Sequence, residues 1–410
     1  MATHNLIFHS RPRAEADWNC QRMRYYQYDL FDGIVKDNLT LNLFIGSCLH
    51  DALAAIATSY RDTGKVNIDD IAVTAGKLVK DVLSDYYGEV PEASAEWLLT
   101  LEQSTLVEAL LRGFYRQTWP ALIAQYPTVI SSEREVIFPH DESGKLNKKG
   151  PFVFMAKGDL VLLQGELGCV YVEFKSTSSK RQEWLDSWNK AIQIHATTKA
   201  IEFTMKQEVL GTIVQGLFKG TTSYGKYSSP LVYGYLSKGN PPFTKNLISY
   251  EYKAGYKRTP VWEMQGGVKK WVEEFPLALL SEQFPQTPIL FTDQELAESF
   301  FRQRAIREQD VKAARSKLSD LELTESDRLF IMDSDFPQSF TKCKSNFSSE
   351  FDCAYYRLCH GPIQVQENPL GMGFIHKPRT HEEPYFELAS KLLEGNFEET
   401  SVSSKELLNG

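Results

Sequence analysis

The chain has 410 residues, 42% of them hydrophobic, enough to bury a large core in one elaborated domain or two. No uninterrupted apolar run reaches the roughly 20 residues that span a bilayer, and the first twenty residues lack a charged-then-apolar leader pattern. A net charge of −8 excludes a generally basic nucleic-acid binder but leaves room for a local basic groove.

Read in chain order, the first ~125 residues are expected to be helical, with apolar residues at helical spacing in 41–60 and 94–126. Strand patterns follow over 132–139, 151–163 and 169–176. An amphipathic helix is expected over 183–205, then strands over 209–220 and 229–237. A charged helix over 292–318 has Thr292 as its expected N-cap. Residues 1–365 are read as one domain and 366–410 as a polar C-terminal tail. This order gives an α/β fold, a central mixed β-sheet flanked by helices. Six cysteines in a chain this long, without a leader, fit a reducing cytoplasm and no membrane. Short basic stretches at 11–13, 21–24, 145–150 and 175–181 are local patches, each also readable as a solvated face.

The stretch DLVLLQGELGCVYVEFKSTSSK, 159–180, reads as two apolar strands around a short turn. The turn 165–168 lies midway between Asp159 and Glu173, so a symmetric hairpin sets these carboxylates opposite each other. Glu173 and Lys175 share a face, while Val170, Val172 and Phe174 point to the other. Two carboxylates and an ammonium on one sheet face suit Mg²⁺- or Mn²⁺-assisted phosphodiester hydrolysis, with Lys175 acting on the attacking water. A cross-strand ion pair explains the same residues. Glu133 and Glu135, on the preceding strand, are alternating acids of the kind usually solvated at a sheet edge.

The order Asp159, then Glu173-Phe174-Lys175, resembles the PD-(D/E)XK nuclease superfamily, with Gly158 in place of the proline, as in its RecB-like branch. That resemblance implies a restriction-endonuclease-like core. It also implies an upstream helix carrying a metal-ligating His, met here by Gly46 through His50, four residues apart on one helix face. Gly46 is expected to leave room beside the imidazole, and Cys48, on another face, to pack. It further implies a helical Gln after the Lys strand: Gln193, with Thr197 where the family has Tyr. His50, Asp159, Glu173 and the Phe174 carbonyl are then the expected metal ligands, with Lys175 and Gln193 assisting.

Cys20 near the start and Cys343, Cys353 and Cys359 near the end resemble the ligands of RecB-like nucleases that carry an iron–sulfur cluster. Those relatives include AddB-type, CRISPR-adaptation and phage exonucleases. Four thiolates also suit a structural Zn²⁺, and four ordinary buried thiols remain an alternative. A 4Fe–4S cluster on them would join the two chain ends. The resemblance implies a DNA exonuclease in recombination, repair or replication, acting on ends or single strands. A helicase, a recombinase or a single-strand-binding protein is the implied partner class. A non-catalytic DNA-binding scaffold and a restriction-type endonuclease are the alternatives. Tyr25, Tyr26, Trp184 and Trp188 are candidates for stacking bases, or for core.

Overall fold

The computed structural model describes residues 6–36, 41–89, 91, 94–177, 181–218, 284–320, 322–339, 353–360, 369–377 and 383–393, with four short strands between 223 and 271. The chain opens with β1 (Ile7–Ser10), α1 (Arg11–Asn19), α2 (Gln21–Arg24) and β2 (Ile34–Lys36). Helices α3 (Leu41–Thr63), α4 (Ile68–Tyr87), α5 (Ala95–Gln117) and α6 (Trp119–Gln125) follow. Then come β3 (Thr128–His140), β4 (Phe152–Leu163), β5 (Cys169–Thr177), α7 (Arg181–Ser187), α8 (Ile192–Met205) and β6 (Val209–Phe218). Two hairpins are formed by β7 (Ser223–Tyr224) with β8 (Tyr227–Ser228), and by β9 (Trp262–Gln265) with β10 (Val268–Trp271). The C-terminal part holds β11 (Gln286–Ile289), α9 (Gln294–Leu318), α10 (Glu325–Asp335), α11 (Tyr356–Cys359), β12 (Phe374–His376) and α12 (Glu383–Leu393).

The architecture is α/β, with a mixed six-stranded sheet flanked by helices. Strand β4 organises it. One edge of β4 pairs antiparallel with β3 along its whole length. The other edge is divided: β1 lies parallel to 152–155, and β5 lies antiparallel to 160–163. Strands β5 and β6 are parallel and joined through α7 and α8, and β11 closes antiparallel on β6.

The alternation in β4 and β5 separates two cores. Leu160, Leu162, Val170, Val172 and Phe174 pack with α3, α4 and α5 on one side, as the hairpin reading requires. Val161, Cys169 and Tyr171 pack with Ala196 and Ile201 of α8 and Phe300 and Phe301 of α9 on the other. Each fully buried side chain of this size contributes about 1.5–3 kcal/mol of transfer free energy.

Several expectations change. The helix expected over 183–205 is broken into α7 and α8. The N-cap of α9 is Asp293, which accepts from the Leu296 N–H at 2.8 Å, and not Thr292. The strand expected over 229–237 lies outside the described residues. Within 366–410, read as a polar tail, β12 pairs antiparallel with β2, and Ala389 of α12 is buried against Ile137 and Val153. Residues 43–63 are long and apolar enough, by length and composition alone, to cross a membrane. Here Ile45, Leu49, Leu53 and Ile56 of that helix are buried in the core.

A buried ionic network ties the N-terminal segment to α9. Arg304 reaches Asp17 at 2.8 Å and Glu308 at 2.6 Å, and Glu308 also accepts from Arg24 at 2.6 Å. Arg22 donates to the Phe336 carbonyl at 2.8 Å and to Asp333 at 2.7 Å. Arg22 and Arg24 therefore belong to this clamp, not to a solvated basic patch.

Candidate metal centre

The β4–β5 turn fixes the geometry of the site. Gly165 and Gly168 take positive φ (58° and 147°), and a Cβ on Gly168 would come within 2.7 Å of the Glu208 carbonyl oxygen. The resulting register pairs Leu163 with Cys169 and Leu160 with Val172. Asp159 and Glu173 fall on the next step, where β5 parts from β4. The ladder between β3 and β4 pairs Ser132 with Leu160 and Arg134 with Gly158, which sets Glu133 opposite Asp159. Three carboxylates, Glu133, Asp159 and Glu173, thus form a row across three adjacent strands. Glu133 stands in this row with a left-handed backbone, φ 47°, a conformation uncommon for a side-chain-bearing residue in a strand.

Helix α3 brings His50 over the row. Its Nδ1 lies 3.1 Å from Glu133 Oε1 and 3.5 Å from Asp159 Oδ1. Among the described residues, His50, Glu133 and Asp159 are the one trio of metal-capable groups whose ligand atoms all lie within 4.8 Å of one another. Gly46 is not needed for room, because a Cβ there would meet only Ser176 Oγ, at an ordinary 3.8 Å. Cys48 and Cys169 are buried in the two cores, as expected of packing thiols.

Glu173 is buried and turned toward three partners: the Tyr171 hydroxyl, the Gln193 amide and the Lys175 ammonium all reach its carboxylate. Asp159 Oδ2 accepts from the Phe174 N–H at 2.7 Å. The N–H and C=O of one strand residue leave the backbone on the same side, so the Phe174 carbonyl also faces β4. Gln193, in the first turn of α8, keeps a buried Oε1 with no hydrogen-bond partner, an acceptor available to a metal-bound water. Lys157 pairs with Glu133 Oε2 at 2.6 Å.

The electrostatics are those of acids packed together. Burial, then the neighbouring Asp159, pushes the Glu173 carboxyl up to about 7. Burial alone would lower the His50 imidazole, but hydrogen bonds to Asp159 and Glu133 push it up to about 10. Burial would raise Glu133, and its bonds to His50 and Lys157 outweigh that and lower it. Without a metal, the row is thus compensated by a proton on His50 and by two lysines. Hard carboxylate oxygens with one imidazole suit a small divalent cation.

His195, two residues past Gln193 on α8, and the candidate stacking residues separate clearly. His195 is buried; its Nε2 lies 3.2 Å from the Asn189 carbonyl and its Nδ1 accepts from the Asp293 N–H at 3.1 Å, so it braces the α7–α8 turn. Tyr26 and Trp184 are core, and Tyr25 packs on Phe336 with ring centroids 4.8 Å apart. Trp188 is half-buried, its ring 5.8 Å from Lys175 Nζ.

Cys343 lies outside the described residues. Cys20 Sγ accepts from the Ser339 N–H at 3.4 Å, and the adjacent Gln338 donates to the Cys359 carbonyl at 3.2 Å. Cys353 and Cys359 both pack on the cluster of Tyr26, Tyr355 and Phe374. Cys20, Cys353 and Cys359 are thus connected through Gln338, Ser339 and this cluster, and none of them forms a disulfide. Their sulfurs do not form a trio within 4.8 Å, whereas tetrahedral zinc would hold them about 3.8 Å apart.

Sequence reasoning discounted Glu133 and overlooked Tyr171 and Lys157. Each has a simple signal: Tyr171 and Lys157 stand two residues before Glu173 and Asp159, and Glu133 mirrors Asp159 about the β3–β4 connection. No protein-family model matches the chain, and no curated protein sequence matches it.

Proposed function

We propose that the protein is a metal-dependent deoxyribonuclease of the PD-(D/E)XK, RecB-like kind, hydrolysing phosphodiester bonds from DNA ends. The observation that carries this reading is the in-register row of Glu133, Asp159 and Glu173 beneath His50. An ion-pairing surface has no need to set three acids on one row with two of them, Asp159 and Glu173, buried, because burying a carboxylate costs several kcal/mol unless it is paired or bound. A bound Mg²⁺ or Mn²⁺ repays that cost, and supplies Lewis-acid stabilisation of the phosphate and a more acidic water.

His50, Asp159, Glu173 and the Phe174 carbonyl are the proposed ligands, with Glu133 as a further carboxylate. Lys175, held by Glu173, neutralises charge at the attacking water. Gln193 steadies Glu173 through its amide and offers its free Oε1 to that water. Cys20, Cys343, Cys353 and Cys359 are the proposed ligands of a 4Fe–4S cluster, whose role is structural. In its favour, Ser339, bonded to Cys20, is only four residues from Cys343, a reach of at most ~14 Å.

Linear and covalently closed circular DNA, each incubated with Mn²⁺, test the reading. Digestion of the linear form alone is expected, and is abolished by Asp159→Asn. Cutting of both forms would make the protein an endonuclease. Binding without cutting would make it a scaffold.

A further inference from the structure

We propose that a second site, remote in composition from the metal centre, binds an acidic peptide that carries an apolar anchor side chain. A cavity of about 560 Å³ lies between residues 25–31, the C-terminal end of α9 and the middle of α10. None of its lining residues belongs to the carboxylate row or its partners. Its volume is in the range of ligand-binding clefts.

The walls are aliphatic, from Leu318, Leu329 and Met332, with Phe31 among the lining residues. Phe31 holds φ 49° and leaves half of its side chain exposed. An exposed aromatic in a conformation that costs of order 1–3 kcal/mol is kept where the surroundings or a ligand favour it. Two guanidinium groups, Arg315 and Arg328, complete the lining. Arg328 is steadied by the Asp320 carbonyl at 3.2 Å. Arg315 is 46% exposed. The one acid of the lining, Asp29, is buried and faces Arg24 at 3.7 Å and Arg315 at 3.6 Å.

The choice of a peptide over a nucleotide follows from the rings. Tyr26 is already stacked on Tyr355, and Tyr25 is packed on Phe336. Both rings are thus engaged by protein rings, which leaves the single exposed ring of Phe31, whereas sequence-tolerant single-strand binding stacks successive bases on several aromatic side chains. Aliphatic walls instead suit an inserted Leu or Phe side chain, with neighbouring carboxylates meeting Arg315 and Arg328.

The test uses the full-length protein and a fluorescein-labelled peptide of four aspartates followed by leucine and phenylalanine, read by fluorescence anisotropy. Saturable binding that weakens with added salt is expected. The double variant Arg315→Glu, Arg328→Glu should lower affinity at least about tenfold, equivalent to about 1.4 kcal/mol. Leu329→Asp should lower it severalfold while leaving both arginines in place. If the double variant does not fold, Arg315→Ala alone should still weaken binding. Three results would overturn the proposal: no binding by the unaltered protein, equal binding by the folded variants, or displacement of the peptide by oligothymidylate whose own binding the same variants abolish. The last would make the cavity a nucleic-acid site. None of these outcomes depends on whether the metal centre cleaves DNA.

Discussion

Two buried charge systems stand in contrast in this molecule. In the clamp, Arg24 and Arg304 meet Asp17, Asp29 and Glu308, cations that cannot be deprotonated facing acids that need them. In the carboxylate row, the compensating charges are a proton on His50 and two partly exposed lysines. All three can leave or move. The clamp is a fixed network that holds the N-terminal segment to α9. On the proposed reading, the row is held ready for a cation to exchange into it. The two systems differ less in the number of their charges than in whether their counter-charges are replaceable.

The largest predicted effect attacks the row. Asp159→Asn and Glu173→Gln should each lower the Mn²⁺-dependent hydrolysis rate by about a thousandfold or more, since each removes a charged ligand while keeping shape. Stability should not fall with activity. Glu173 has a raised folded pKa of about 7, so its carboxyl favours the fold at low pH and loses that contribution as pH rises through 7. At pH 8 without metal, Glu173→Gln should therefore melt no lower than the unaltered protein. A large drop in melting temperature would place Glu173 in the structural class.

The clamp should behave in the opposite way. Arg24→Met leaves Glu308 and Asp29 buried beside fewer cations, and breaking such a pair from one side costs about 3–5 kcal/mol. Urea unfolding should show that loss, while Mn²⁺ binding by the surviving folded fraction stays unchanged. A clamp variant that weakened Mn²⁺ binding at full foldedness would dissolve the distinction.

Glu133 sharpens the comparison from inside the row. Glu133→Gln should weaken Mn²⁺ binding by about ten- to a hundredfold, because cation affinity follows ligand charge. Electron paramagnetic resonance of free Mn²⁺ measures this without a nuclease assay. An unchanged affinity would leave Glu133 as a partner of His50 and Lys157 only.

The sequence exposes the row only in part, for physical reasons. Asp159 and Glu173 are legible because a short turn and strict alternation determine a hairpin's register. Glu133 needs a second register and a left-handed φ that no local preference signals. The clamp is hidden for another reason: Arg24 and Glu308 are 284 positions apart, so each reads alone as a solvated charge. Likewise β12 is a strand only because β2 is there to pair with it. The apolar periodicity over 41–60 and 94–126 carries its own answer, and α3 and α5 lie where it predicts them, while β1 and β2 interrupt the first ~125 residues expected to be helical.

The smallest expected effect concerns a pair of histidines beside the clamp where protons can enter. His9 and His140 are both buried, with their Nε2 atoms 2.7 Å apart. The His140 Nδ1 lies 2.9 Å from the Asp141 carbonyl and so must carry its proton, leaving the His140 Nε2 to accept from His9. Burial pushes His140 down to about 4. Burial, then His140 and the nearby Arg304, Arg13 and Arg24, pushes His9 well below the ordinary value. Both imidazoles are thus neutral in the fold and free to charge once unfolded. Their contribution is complete above pH 6.5 and is lost as pH falls from 6.5 toward about 4, at up to about 1.4 kcal/mol per pH unit for each ring. Urea midpoints taken from pH 7 to pH 4.5 should fall accordingly, and His140→Gln should flatten that slope. If the slope persisted in His140→Gln, the acid sensitivity would belong to the carboxylates of the clamp, whose cations would then be less fixed than the contrast requires.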